Sequence, residues 1–180
     1  MSPTLWRTCR VLSGPTRISL FRRIIQVPGQ CVSELANAEK ISRPRASQEL
    51  RRLQSRGLVR VERTGRYALY YPESDPLVSM AKPLLRAMKE TCTRLSAADD
   101  ARVVATAMGV SHSKRINIVG VLRTGPLDTR SLQARLRIPV ETLRHHLGFL
   151  ENGGWIQRAG KAWKLAENGH PLAKCLLQLI

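Results

Sequence analysis

The chain carries two copies of one sequence pattern, and this internal repeat limits its fold more than any other feature. The pair Arg17-Ile18 reappears as Arg115-Ile116, 98 residues later, and downstream the offset settles at 97, as in Leu50 and Leu147. A repeat of this kind sets the architecture before any local assignment is made. We therefore expect two domains of related structure in the 180 residues, each about 90 residues long.

In the first copy, the spacing of apolar residues predicts three helices followed by a β-hairpin. Ser13 and Ser42 precede two of the helices and are expected to cap them. The third helix is predicted over Pro44–Ser55, with Ala46, Leu50 and Leu53 on its buried face, and it ends at Gly57. After this glycine the apolar period changes from 3.6 to 2, which predicts a hairpin with its turn at Thr64-Gly65.

The second copy repeats this order. Ser111 is the expected cap of its first helix, Pro139–Glu151 is its third helix, and its hairpin turns around Ala159-Gly160. The predicted fold is mainly α with small β-hairpins, arranged as tandem winged helix-turn-helix domains. The first domain is expected to span 1–95, with a terminal amphipathic helix from Pro76 to Leu95, and the second 96–180.

The composition points to a polyanionic partner. The net charge is +17, and arginine supplies most of it, whereas charge of this size says little about fold. No apolar run approaches the length of a membrane span, so we predict no membrane partner and a cytoplasmic, nucleoid-associated protein. An alternative is an organelle transit peptide, since the first 33 residues contain arginines and no acid.

The predicted third helix of the first copy is the candidate DNA-reading element. In a helix-turn-helix the second helix of the pair enters the major groove, where arginine can pair with guanine and glutamine with adenine. Arginines at the hairpin tip can contact phosphates or the minor groove. The candidate residues of the first copy are Ser42, Arg43, Arg45, Ser47, Gln48, Arg51 and Arg52 on the helix, with Arg63 and Arg66 on the hairpin.

The second copy offers fewer cations at the matching positions, and we expect it to read DNA more weakly or to serve mainly in packing or dimerisation. Its candidate residues are Arg137, Thr142, Arg144 and His145 around the third helix, and Lys161 on the hairpin.

The chain resembles two fused ArsR-type winged helix domains. Residues 11–71 carry the better match and residues 108–165 the looser one. The matching segments of the first copy are Leu12-Ser13-Gly14-Pro15-Thr16-Arg17, Ile41-Ser42-Arg43-Pro44-Arg45-Ala46-Ser47-Gln48-Glu49-Leu50 and Arg56-Gly57-Leu58-Val59. Those of the second are Ser111, Arg115-Ile116, His146-Leu147 and Gly154-Trp155-Ile156. The resemblance implies transcriptional repression through operator binding, usually as a dimer.

The chain departs from this family at the metal site that many of its members carry. Where they have a Cys-x-Cys pair, this chain has Cys31-Val32-Ser33 with a single thiol, which cannot form a tetrahedral site. His145 and His146 are adjacent and point about 100° apart on a helix, so they do not chelate together. We therefore predict no metal and no cofactor. No catalytic motif is present, and the chain is not expected to be an enzyme.

The sequence thus predicts a sequence-specific DNA-binding transcriptional regulator, acting as a repressor. Because one chain holds two reading units, it could act as a single-chain pseudo-dimer, or as a dimer of this joined through amphipathic helices that include Leu84 and Met88. Two alternatives remain: a tandem winged-helix scaffold for protein interactions, and a protein that binds nucleic acid without sequence preference.

Overall fold

The computed structural model describes residues 4–180 and divides them into two compact units. Unit 1 contains Gly14–Ala101, and unit 2 contains Leu5–Ser13 together with Arg102–Ile180. This division differs from the predicted boundary between residues 95 and 96. Helix α1 (Leu5–Leu12), expected in the first domain, belongs to unit 2. Its Cys9 is buried there, and this burial, followed by the nearby Cys175, raises the pKa of the Cys9 thiol to about 12.

Unit 1 is mainly helical with one small antiparallel sheet. Its strand order is β1-β3-β2, and strands β2 and β3 form the predicted hairpin. The elements are α2 Pro15–Gln26, β1 Gln30–Cys31, α3 Val32–Ala38, α4 Arg43–Gln54, β2 Arg60–Thr64, β3 Tyr67–Tyr71 and α5 Ala81–Arg94. Strand β1 was not predicted, because two residues are too few to show an alternating pattern.

Unit 2 repeats the arrangement with a second antiparallel sheet in the order β4-β6-β5. Unit 2 begins with α1. The chain returns to unit 2 after a single turn of 3-10 helix in unit 1 (Ala97–Asp99) and then forms the remaining elements of unit 2. These are α6 Asp100–Gly109, α7 Ser113–Leu122, β4 Leu127–Asp128, α8 Thr129–Leu136, α9 Val140–Asn152, β5 Ile156–Ala159, β6 Ala162–Leu165 and α10 Pro171–Leu179. The two-residue strand β4 takes the place of β1 in unit 1.

The cores are mainly aliphatic, in keeping with the scarcity of aromatic residues, although Phe21, Trp155 and Trp163 are buried as well. In α4 the buried stripe is Ala46, Leu50 and Leu53, each fully buried. Leu84 and Met88 on α5 are 0% and 1% exposed. The expected homodimer contact through these two residues is therefore wrong, because the chain already covers both side chains and leaves them no surface to offer a second copy.

Two of the three predicted serine caps are displaced by one residue. Ser42 caps α4 as expected, accepting a hydrogen bond from the backbone N of Arg45 at 3.4 Å. Helix α7 is capped by His112, whose Nδ1 accepts from the backbone N of Lys114 at 3.1 Å. Gly14 stands at the N-cap of α2, and the Ser13 hydroxyl instead donates to the carbonyl of Arg10.

Among residues 4–180, one residue in each unit adopts a left-handed backbone conformation without being glycine. Lys40 has φ of 52° and Arg137 has φ of 51°, and the two positions are 97 residues apart in the repeat. Each lies in the short turn that leads into α4 or α9. For a residue with a Cβ this conformation costs about 1–2 kcal/mol, so both turns hold a cation where glycine would be unstrained.

We expect the double variant Lys40→Gly, Arg137→Gly to be more stable than the natural chain by about 1 kcal/mol. The relief of strain at each site exceeds the roughly 0.5–1 kcal/mol that glycine's extra freedom in the unfolded chain costs. Urea unfolding checks this. The matched variant Lys40→Ala, Arg137→Ala removes the same charges but keeps Cβ, so it should show no gain in stability. If the glycine and alanine variants are equally stable, the two turns are not strained.

None of the helices formed by residues 4–180 combines the length and the apolar character needed to cross a bilayer.

Candidate nucleic-acid interface

The outward face of α4 presents polar side chains, which include most of the predicted residues. Arg43, Arg45, Gln48 and Arg51 are exposed, while Ser47 is half-buried. They lie off the buried stripe because Ala46, Leu50 and Leu53 follow one another at helical spacing. The helix observed over Arg43–Gln54 begins and ends one residue earlier than predicted, which leaves Arg43 in its first turn.

Two of the predicted arginines on α4 have partners within unit 1. Arg45 Nη2 donates to Thr16 Oγ1 at 3.0 Å, a contact that orients the guanidinium without neutralising it. Arg52 Nη1 lies 3.0 Å from Glu49 Oε1, so this cation is paired, although its side chain is still 47% exposed. Arg43 and Arg51 form no ion pair among residues 4–180. Arg52 is therefore the weakest of the predicted helix contacts.

Glu49, the sole acid of α4, is turned into unit 1. It is 8% exposed, and its Oε2 lies 2.7 Å from Arg17 Nη1 on α2. Burial raises the pKa of Glu49, but hydrogen bonds and charge from Arg17 and Arg52 outweigh burial and hold the pKa below its usual value. The outer face of the helix consequently carries no negative charge.

The hairpin of unit 1 turns one residue later than predicted, at Gly65-Arg66, because Thr64 pairs with Tyr67. Gly65 has φ of 58°, which suits glycine at this position. Arg66 stacks on the Tyr67 ring at 5.2 Å from its centroid, and Arg66 Nη2 donates to the Tyr67 hydroxyl at 3.0 Å. Arg63 is exposed on β2.

Tyr67 is a functional candidate that the sequence reasoning missed. Its side chain is 50% exposed at the hairpin tip, and an exposed aromatic beside an arginine is the signal that could have identified it. Aromatic and guanidinium groups together can hold a phosphate or a sugar edge.

The structure brings two of the predicted residues of unit 1, one from the helix and one from the hairpin, to the same cleft. Arg43 at the start of α4 and Arg66 at the hairpin tip line the same space of about 480 Å³, with Cys31, Ser33 and Tyr67 on its other walls. A single bound polyanion could therefore meet cations from both elements.

The matching surface of unit 2 is less basic, as expected. His145 is exposed and Thr142 half-buried. Arg144 is paired with Glu141 at 2.8 Å, on a fully solvated part of α9. Lys161 lies in the hairpin turn Gly160-Lys161, one residue later than predicted.

Arg137 lies apart from these residues, in the strained turn before α9. It lines an open groove of about 430 Å³ with Arg130 of α8. Arg130 was not among the predicted residues, and its spacing of seven residues from Arg137 was the only signal for it in the sequence.

His145 and His146 point in different directions, as their adjacency predicts. His146 is 7% exposed, and its ring centroid lies 4.9 Å from that of His112. Burial, followed by the charges of His112, Arg115, Lys114 and His145, lowers the pKa of His146 from its ordinary value of 6.5 to about 4. The buried imidazole is neutral at neutral pH.

We expect the chain to lose about 2 kcal/mol of stability between about pH 7.5 and pH 5 through His146 alone. The pKa of His146 is lower in the folded than in the unfolded chain, so the unfolded chain binds the extra proton, and stability falls as the pH drops below 6.5 toward 4. Urea unfolding at several pH values checks this. His146→Gln should flatten the profile in this window; an unchanged profile would contradict the assignment.

Among residues 4–180, no group of three or more His, Cys, Asp or Glu side chains converges as a metal site would require. Cys31 instead begins α3: its backbone N donates to Glu34 Oε2 at 2.7 Å.

Comparison with protein-family models and with curated proteins finds no match for this chain.

Proposed function

We propose that the chain is a tandem winged helix-turn-helix protein that binds duplex DNA sequence-specifically and represses transcription. One observation carries the proposal. The outer face of α4 exposes Arg43, Arg45, Gln48 and Arg51, and the single acid of the helix is turned inward. In this proposal α4 is the recognition helix, and the β2–β3 hairpin is the wing.

The exposed side chains of α4 suit base recognition. Arginine forms two hydrogen bonds with the O6 and N7 atoms of guanine, and glutamine does the same with the N6 and N7 atoms of adenine. Arg43, Arg45 and Gln48 lie in the first two turns of the helix, the part that meets base edges when such a helix enters the major groove. Arg45 is additionally oriented by Thr16, which reduces the freedom lost on binding.

The wing and the turns would supply affinity without sequence preference. Arg63, Arg66 and the cation Lys40 are exposed, and contacts with phosphates release counterions. The strain at Lys40 and at its counterpart Arg137 supports this part of the proposal. Lysine and arginine both adopt a costly left-handed conformation at matched turns. This cost suggests that the function uses their positive charge and does not merely need the turn conformation.

Unit 2 would contribute a second, weaker contact through His145, Arg137 and Lys161. One chain would then hold both reading units, and we expect it to be a monomer in solution with an asymmetric target site. Sedimentation equilibrium checks this, and a stable homodimer would contradict the single-chain arrangement.

The function is tested by measuring affinity against salt for three ligands: a random duplex, duplexes enriched for binding, and a structured RNA. We expect the enriched duplex to bind at least about tenfold more tightly than the random one, with a logarithmic salt slope of several units for both. Equal affinity for all three ligands would show binding without sequence preference. Weak, salt-insensitive binding would instead favour a protein-interaction scaffold.

A further inference from the structure

Unit 2 buries an arginine that has no carboxylate partner among residues 4–180. Arg115 on α7 is 7% exposed. Its Nη2 donates to Ser111 Oγ at 3.1 Å, and its guanidinium lies 4.4 Å from the centroid of the Phe149 ring. Its Nε and Nη1 are buried without a hydrogen-bond partner among residues 4–180. A buried charge of this kind is costly unless an opposite charge meets it.

At the position in unit 1 that corresponds to Arg115, the arginine has a carboxylate partner. Arg17 is the counterpart of Arg115, and it forms a buried ion pair with Glu49 at 2.7 Å. The residue of unit 2 that stands 97 positions after Glu49 is His146. An imidazole therefore replaces the carboxylate, and its Nδ1 is itself buried without a partner among the described residues.

Within the part of the chain that the structure describes, the neighbours of Arg115 add positive charge and no negative charge. Burial and then Arg10 lower the pKa of Arg115. The pKa of His112 is lowered by burial and then by Arg115, Lys114 and Arg10. Arg10 and Lys114 are exposed, so the cluster extends from the buried guanidinium to the surface of unit 2.

We propose that this cluster, defined by Arg10, His112, Lys114, Arg115 and His146, is a binding site for a small oxyanion. The ligand would supply the negative charge that Glu49 supplies in unit 1. Its chemical class is a phosphate or carboxylate group, because such a group offers a negative charge and acceptor oxygens to a buried guanidinium whose Nε and Nη1 lack partners among residues 4–180. The phosphates of a duplex are a poorer fit, because a duplex is too bulky to bring them to a side chain that is 7% exposed, whereas a free oxyanion is small.

A site of this kind would make unit 2 a sensor and leave the reading of DNA mainly to unit 1. Helix α9 carries His146 on its buried face and His145 on its exposed face. An anion held against His146 would therefore act on the helix that carries the predicted contacts of unit 2. The binding site itself does not depend on DNA recognition.

The test is thermal unfolding of the full chain in increasing inorganic phosphate. We expect the melting temperature to rise along a saturating curve, by about 4 °C once phosphate reaches ten times its dissociation constant. His146→Glu restores the carboxylate of unit 1 and should abolish the saturating rise while raising the melting temperature in phosphate-free buffer. Arg115→Met, which removes the buried cation, should abolish the rise as well.

A control separates this site from general screening of a basic protein. Lys164→Gln lowers the charge of unit 2 by one at an exposed position on β6. Because Lys164 lies outside the proposed cluster, this variant must retain the saturating rise. The proposal is overturned if His146→Glu and Arg115→Met respond to phosphate as the natural chain does. A shallow, unsaturated rise in the natural chain would overturn it equally.

Discussion

The double variant Arg43→Ala, Arg45→Ala is expected to bind its preferred duplex roughly a hundredfold more weakly than the natural chain. Two base-contacting arginines are each worth about 1–3 kcal/mol of specific binding, and about 3 kcal/mol corresponds to a hundredfold or slightly more in Kd. Both side chains are exposed on α4, so their removal should leave the fold intact. Fluorescence anisotropy with the preferred and the random duplex measures the loss.

The matched control is Lys82→Ala, Arg86→Ala, which removes two exposed cations from α5. It lowers the net charge by the same amount, so any effect of charge alone appears in both variants. We expect only a few-fold loss for the control, and a similar loss on both duplexes. If the two double variants weaken binding equally, α4 does not read the bases.

Asp100→Ala is expected to destabilise the chain by about 3 kcal/mol, because it removes one partner of a buried ion pair. Arg22 on α2 is 5% exposed. Its Nε lies 3.0 Å from Asp100 Oδ1, and its Nη1 donates to the Leu95 carbonyl at 2.9 Å. Removal of the carboxylate leaves a buried guanidinium with carbonyl partners only. Urea unfolding measures the loss.

The double variant Arg22→Met, Asp100→Ala distinguishes the loss of the ion pair from the cost of leaving a buried guanidinium without its carboxylate. Because replacement of a buried ion pair by apolar groups is often close to neutral, we expect it to recover most of the stability that Asp100→Ala loses. A double variant no more stable than Asp100→Ala would contradict this account of the pair.

The repeat and the helical periodicity predicted the helices of both units, but α5 begins at Ala81 and not, as predicted, at Pro76. The buried stripe of α4 was predicted residue by residue, because Ala46, Leu50 and Leu53 are separated by helical intervals that admit one inward face. The hairpins were predicted to within one residue of their turns. Glycine marked each turn, but which of two neighbouring pairs forms it depends on the pairing register.

The parts that could not be predicted depend on contacts between distant residues. The placement of α1 in unit 2 depends on which core buries Cys9, and nothing local decides that. The amphipathic pattern of α5 indicated an apolar face, but not that the same chain covers Leu84 and Met88.

The same limit applies to the candidate site. The positions of cations on α4 followed from spacing alone. The pairing of Arg52 with Glu49, the contact of Arg45 with Thr16 and the absence of an acid partner for Arg115 among residues 4–180 are all matters of tertiary geometry. Comparison of the two repeats could have shown the replacement of Glu49 by His146, although not its consequence for the buried arginine.

Sequence-specific recognition of duplex DNA by α4 is tested most directly by selecting the full chain against a random duplex library and sequencing the recovered DNA. The account predicts enrichment of one motif, with guanine or adenine at the positions that Arg43→Ala, Arg45→Ala or Gln48→Ala relaxes. Recovery of duplexes without a shared motif, or of a motif that these variants leave unchanged, would contradict it.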